Sequence, residues 1–151
     1  MAIGAALMFN IRLPINFNSP YKALDIQDFW RRWHMTLSRW LRDYLYIPFG
    51  GNRYGAFKTY RNLMLTFAIR GLWHGAGWGF VLWAFMHGLG LCLHRLWQSL
   101  KISLPAPIAW LITFLFVHFT WIYFRADTLG DAHTVMSKML FFDRKSENLS
   151  L

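Results

Sequence analysis

The chain has 151 residues, of which 56% are hydrophobic, 19% aromatic and only 15% charged, with a formal net charge of +9. That length fits one domain, but so apolar and aromatic a composition excludes an ordinary soluble globule and points to a bilayer. The basic residues interleave with apolar faces and flank apolar runs, which argues against nucleic acid as a partner and for anionic lipid headgroups and the positive-inside rule. A single cysteine, Cys92, excludes an intrachain disulfide and a cysteine-based metal cluster.

Residues 1–11 are apolar without a charged leader or a small-residue cleavage pattern, so they read as the end of a spanning helix and not as a signal peptide. Ala2 to Phe9 is too short to cross alone, and Met1 reads as the start of a fragment. Pro14 to Pro20 reads as an extended connection. From Asp25 the pattern turns helical: Trp30, Trp33, Leu37, Trp40, Leu41, Tyr44 and Leu45 fall within about 140° of arc, with Asp28, Arg31, Arg32, Arg39, Arg42 and Asp43 opposite. An amphipathic interfacial or re-entrant helix around 25–46 is expected. His34 breaks the sorting by projecting into the apolar arc, where a satisfied core histidine is the plain alternative to a functional one.

Tyr46 to Tyr60 holds Pro48, Gly50-Gly51-Asn52 and Gly55, a turn-rich loop. Its glycine N–H groups, with Arg53, match either a phosphate nest or, more simply, a tight turn. Through Asn62 there are nine Lys or Arg against three Asp, which places this part toward the cytoplasm.

Arg70 then interrupts an apolar stretch, either snorkelling at a helix end or facing a polar cavity beside His74. Between Arg70 and Arg95 there is no Lys, Arg, Asp or Glu, and ~20 apolar residues suffice to cross a bilayer as a helix. Gly71 to Leu93 is expected to cross, within spanning helices around 63–94 and 102–125. Gly71, Gly75 and Gly79 would share one helical face and admit a close neighbour, with His74 beside that seam. A histidine within a span marks either a functional site or a buried imidazole bonded to a carbonyl. His87 suits packing, and His94 an interfacial place without chemistry. Ile102 to Phe124 is a second uncharged run, containing His118 and begun by Pro105 and Pro107. The tail from Ala126 reads as a short surface helix with a frayed end, so residues 1–125 form the membrane part and 126–151 a short polar tail.

His34 and His74, forty residues apart on different elements, suit general-base catalysis, because an imidazole accepts a proton near neutral pH. No Gly-x-Ser-x-Gly turn and no carboxylate embedded in an apolar run accompanies them, and His-x-x-x-His is absent, so no metal site is expected. A haem-bearing pair of helices through His74, His87 and His118 is the electron-transfer alternative.

The run Ile26-Gln27-Asp28-Phe29-Trp30-Arg31-Arg32-Trp33-His34-Met35-Thr36-Leu37-Ser38, then Trp40 to Pro48 with Gly50-Gly51-Asn52-Arg53, followed by Gly71-Leu72-Trp73-His74-Gly75-Ala76, closely resembles the membrane-bound O-acyltransferase family. The likeness is nearest to the bacterial alginate O-acetyltransferase branch, with the D-alanyl-lipoteichoic-acid exporter protein as a cousin, and Phe119 to Ala126 looks like a later helix of that branch. The resemblance implies an all-α, polytopic bundle of which this chain is the C-terminal part, lying in a bacterial inner (cytoplasmic) membrane. It implies an acetyl group passing from a thioester such as acetyl-CoA or an acyl carrier, bound as co-substrate and not as a tight cofactor, to hydroxyls of an exported polysaccharide such as alginate. His74 maps onto the family's catalytic histidine, and His34 onto an upstream supporting position. The implied partners are the lipid bilayer, the family's missing N-terminal helices, periplasmic polysaccharide-acetylation proteins and the polysaccharide acceptor. A non-catalytic, truncated scaffold or partner-binding component is the competing expectation.

Overall fold

The computed structural model describes residues 2–75 and 77–141, and all regular structure among them is helical. The order is α1 (Ala2–Met8), a 3-10 turn (Pro20–Lys22), α2 (Ile26–Arg32), α3 (Met35–Leu41), a π-turn (Arg42–Tyr46), α4 (Ala56–His74), α5 (Trp78–Ser99), α6 (Ala106–Arg125) and α7 (Leu129–Phe141). Helices α4 and α5 form an antiparallel hairpin, α6 packs along α5, and α2 lies against the same bundle. Two of these helices, α5 and α6, are long and apolar enough to cross a membrane. Phe85, Leu89 and Leu93 on α5, with Ile108, Leu111, Ile112 and Leu115 on α6, face outward, as lipid-covered side chains do.

The segment around 25–46 is helical but not one helix. Asp25 caps α2 by accepting the Asp28 N–H at 2.7 Å, and Asp28 binds Arg32 one turn on at 2.9 Å. The helix then breaks at Trp33-His34, and His34 takes a left-handed backbone (φ 46°, ψ 55°) before α3 begins. The cause is a tertiary contact. The Asn16 carbonyl accepts the Met35 N–H at 2.9 Å, and the Asn16 side chain accepts the Thr36 N–H at 3.0 Å, so Asn16 satisfies two donors at the start of α3. Asn18 N–H closes the same clamp on the Arg32 carbonyl at 2.9 Å.

The expected crossing from Gly71 to Leu93 is likewise divided. α4 ends at His74, Gly75 adopts φ 151°, and α5 starts afresh at Trp78, so the glycines at 71, 75 and 79 do not share one helical face. Their smallness is still used: a Cβ on Gly71 would come within 2.9 Å of the Phe80 carbonyl oxygen and 2.6 Å of Ala84 Cβ. A Cβ on Gly79 would collide with the Tyr123 carbonyl, so α4 approaches α5, and α5 approaches α6, almost backbone to backbone.

The loop 47–54 is a tight turn and not a nest, because the Gly50 and Gly51 N–H groups are spent on the Ile47 and Tyr46 carbonyls at 2.9 and 2.8 Å. Buried Asn62 ties the loop down, donating to the carbonyls of Phe49 at 2.9 Å and Gly51 at 3.0 Å. The surface helix of the tail is α7, and the frayed end expected after it lies outside the described residues.

Candidate active site

His74 is the last residue of α4, and its imidazole is walled by aromatic rings from three helices. Trp83 and Phe124 stand edge-on at 5.4 and 5.2 Å between centroids, Trp73 at 5.1 Å, and Phe80 lies nearly parallel at 6.2 Å. The ring is half-buried and makes no hydrogen bond to any described residue. Such a group is held in place yet keeps a lone pair to offer.

His34 reaches the same place from α3. It contacts Phe17 at 5.9 Å, and its neighbour Trp33 packs on Trp121 at 5.0 Å, which continues to Phe124 at 5.5 Å and so to His74. Burial, and then the nearby Arg70 guanidinium, hold the His34 pKa below the usual histidine value, so its neutral form prevails at neutral pH. The two histidines singled out from the sequence thus border one aromatic network, His74 directly and His34 through its neighbour Trp33.

The structure also settles the place of Arg70, one turn before His74 on α4. Arg70 is 3% exposed, with its guanidinium 3.8 Å over the Trp30 ring, and it does not snorkel. No carboxylate among the described residues pairs with it. Its Nε lacks a partner among the described residues, as do His34 Nδ1, His87 Nδ1, His94 Nε2 and the indole nitrogens of Trp30, Trp83 and Trp121. Orphaned donors concentrated in this way mark a site and not a finished hydrophobic core.

His87 is a different kind of histidine. It is fully buried, and Thr120, whose hydroxyl donates to the Val117 carbonyl at 2.8 Å, accepts from His87 Nε2 at 2.9 Å. It clamps α5 to α6, in keeping with the packing role expected of it. His118 is exposed, with Nδ1 2.7 Å from the Phe114 carbonyl. His94, expected at the interface, is half-buried 3.6 Å from an Asp25 carboxylate oxygen.

Two cavities flank the cage. One, of ≈ 460 Å³, lies at the α5 start and α6 end, against Trp78, Phe80, Tyr123, Phe124 and Asp127. The other, of ≈ 610 Å³, runs from Arg70 and Trp30 past Phe67 and Leu63 to Arg95 and Gln98. Its α5 lining begins at Leu91, roughly 16 Å along the helix from Phe80 of the first cavity, at ~1.5 Å per residue. The cavities therefore lie toward opposite ends of α5, and neither is lined by His74 or His34 themselves.

Residues 1–126 match the model of the membrane-bound O-acyltransferase family. The chain belongs to that family. It is 56% identical over 144 residues to a peptidoglycan O-acetyltransferase of Helicobacter pylori, covering 93% of this chain and 27% of that protein. It is 48% identical over 143 residues to a probable alginate O-acetylase of Pseudomonas aeruginosa (94% and 28%), and 31% identical over 149 residues to a teichoic acid D-alanyltransferase of Bacillus subtilis (87% and 37%). The chain thus spans under a third of the length of the first two relatives. As a membrane-bound O-acyltransferase segment, it presents its Trp-His-Gly motif at a helix break, where the histidine projects from a helix end into a cage.

Asn16 and the aromatic walls were not singled out from the sequence. The signal for Trp83 and Phe124 was too faint, because both sit in uniformly apolar helices where any aromatic could face lipid. Arg70 was visible as a lone charge four residues before His74, on the same helical face.

Proposed function

We propose that the protein acts as a membrane O-acyltransferase that moves an acyl group, acetyl in the first instance, from a thioester donor to a hydroxyl of an exported cell-surface polysaccharide. The observation that carries this is the position of His74: an imidazole at a helix end with no hydrogen bond to any described residue, caged by Phe80 and Phe124, which line one cavity, and one turn after Arg70, which lines the other. The donor arrives from the end rich in arginine, which is cytoplasmic by the positive-inside rule, and the acceptor from the aromatic end. His74 takes the proton of the attacking hydroxyl as its oxygen adds to the thioester carbonyl. The C–S bond then breaks, and the imidazolium returns the proton to the departing thiolate. His34 supports the base from the neighbouring element, and the unpartnered indole N–H groups of Trp30, Trp83 and Trp121 are donors available to the developing oxyanion.

The relatives' names, which pair acetyl or D-alanyl groups with peptidoglycan, alginate and teichoic acid, support an acceptor that is a polymer outside the cytoplasmic membrane. Such a protein would be multi-pass in a bacterial inner membrane, completed by further helices of the family fold and served by periplasmic acetylation proteins. The test is His74→Ala in the intact protein, expressed in a strain lacking its own copy. Loss of polymer O-acetyl groups at unchanged membrane abundance is expected, and retained acetylation would overturn the proposal.

A further inference from the structure

Among the described residues Arg70 is the only lysine or arginine that is fully buried, and no step of the acyl transfer yet employs it. An arginine keeps its charge inside a protein, and a charge buried without a partner is costly. The Arg70 guanidinium lies 3.8 Å over the Trp30 ring, its Nε has no acceptor, and no carboxylate among the described residues pairs with it. The indole face offsets part of the cost without neutralising the cation. Its field therefore reaches whatever stands near it.

What stands near it is the histidine pair. Arg70 and His74 are four residues apart on α4 and share one face of that helix. Both lean on Trp83 of α5, whose ring centre is 5.8 Å from the guanidinium carbon and 5.4 Å from the imidazole centre. On the other side Trp30 carries the same guanidinium, and His34 opens the next helix four residues after it. The remaining charges are spent or face outward. His87 of α5 is sealed and bonded to Thr120, and α6 presents neutral Trp121 and Phe124, with Arg125 and Asp127 exposed beyond them. Arg32 is paired with Asp28, Arg42 with Asp43, and His94 lies beside Asp25, while Arg31, Arg39 and Arg95 are exposed.

We propose that Arg70 is a positioning residue of the acyl-transfer reaction, a fixed buried cation that keeps the His74 and His34 rings free of a proton until the acceptor hydroxyl supplies one. Once His74 has taken that proton, the imidazolium stands beside a second positive charge, and their repulsion favours passing the proton on to the departing thiolate. The part in catalysis rests on the acyl-transfer reading, whereas the effect on the imidazoles does not.

The test reads the imidazoles directly, without turnover. The intact protein in phosphatidylcholine nanodiscs is treated with diethyl pyrocarbonate, which reacts with unprotonated imidazole, from about pH 5 to 8. Rates at His74, at His34 and at exposed His118 are followed by peptide mass spectrometry. Arg70→Met removes the charge and Arg70→Lys keeps it. Leu63→Glu, at a half-buried position two turns earlier on α4 in the same cavity, supplies a counter-ion with Arg70 in place, and Arg125→Met is the control. At a separation of roughly 10 Å and an effective dielectric of about 20, one unit charge moves a neighbour's titration by about one pH unit. The midpoint of His74 reactivity should rise by about that much in Arg70→Met, rise also in Leu63→Glu, and stay at the wild-type value in Arg70→Lys and Arg125→Met, with His118 constant throughout. An unmoved midpoint in folded Arg70→Met overturns the proposal; where that variant does not fold, Leu63→Glu decides by the same criterion. An equal rise in Arg70→Lys overturns it too, because the flat stack and not the charge would then be what matters. None of these results alters the outcome of His74→Ala, by which the acyl-transfer reading stands or falls.

Discussion

His87 and His74 stand in the same uncharged stretch, yet one is sealed within the bundle and the other is only half-buried. His87 is enclosed on all sides, with its Nε2 engaged by Thr120. His74 has comparable aromatic company but no hydrogen bond to any described residue, and it is only half-buried. The difference arises from chain geometry. His87 is in mid-helix, where neighbouring helices close over it, whereas His74 lies where Gly75 ends α4 and the chain reverses. The same side chain inside one bundle is therefore a clamp where neighbouring helices close over it and a candidate base where a helix end leaves it partly open.

The largest effect that would sharpen the contrast is at His74. His74→Ala should lower acyl transfer by about 10²–10⁴-fold and leave the thermal midpoint within a few degrees, as read by polymer O-acetyl content and by melting in detergent. His87→Ala should do the reverse. It leaves a cavity and an orphaned Thr120, costing about 2–4 kcal/mol of stability, while the folded fraction keeps its specific activity. Thr120→Val, removing only the acceptor, should cost about 1 kcal/mol. Equal activity losses at His74 and His87 would erase the distinction drawn here.

Smaller effects test the second histidine. His34→Asn retains a residue that tolerates the left-handed backbone and should cut turnover by about tenfold with little change in stability. His34→Val should add a folding defect visible in melting. Asn16→Ala removes the side-chain acceptor of α3 and should cost about 1 kcal/mol, with turnover declining further as the His34 segment loosens. The slightest effect is that of acid. Because the folded protein holds the His34 pKa below its ordinary 6.5, this group's contribution to stability is present above that value and is lost as pH falls through the depressed one. The melting temperature of wild type should therefore drop more than that of His34→Asn on acidification, by a small margin given the partial exposure of the ring.

Much of this was legible in the chain itself. The helical class and the second crossing near 102–125 follow from apolar run length, and the Trp-His-Gly stretch pointed to His74 as a candidate base. What escaped was the position of the breaks. The gap at Trp33-His34 depends on Asn16, twenty residues away, and no periodicity within 25–46 records a capping group that arrives from another segment. The reversal after His74 was obscured because glycine spaced four apart reads equally as a packing face or as a place to end a helix. The fate of Arg70 was left open for a similar reason: whether a lone charge in apolar sequence reaches water depends on neighbours, here Trp30 and Trp83, supplied by other helices.

Where Gly79 meets the Tyr123 carbonyl, two main chains touch with no side chain between them. Phe124, the next residue, is one wall of the His74 enclosure. A bilayer that grows thicker or thinner makes helices tilt, but these two are bolted at that point and must lean as one body. The imidazole therefore keeps its surroundings as membrane thickness changes, and a host that remodels its lipids with temperature would carry this chemistry along undisturbed.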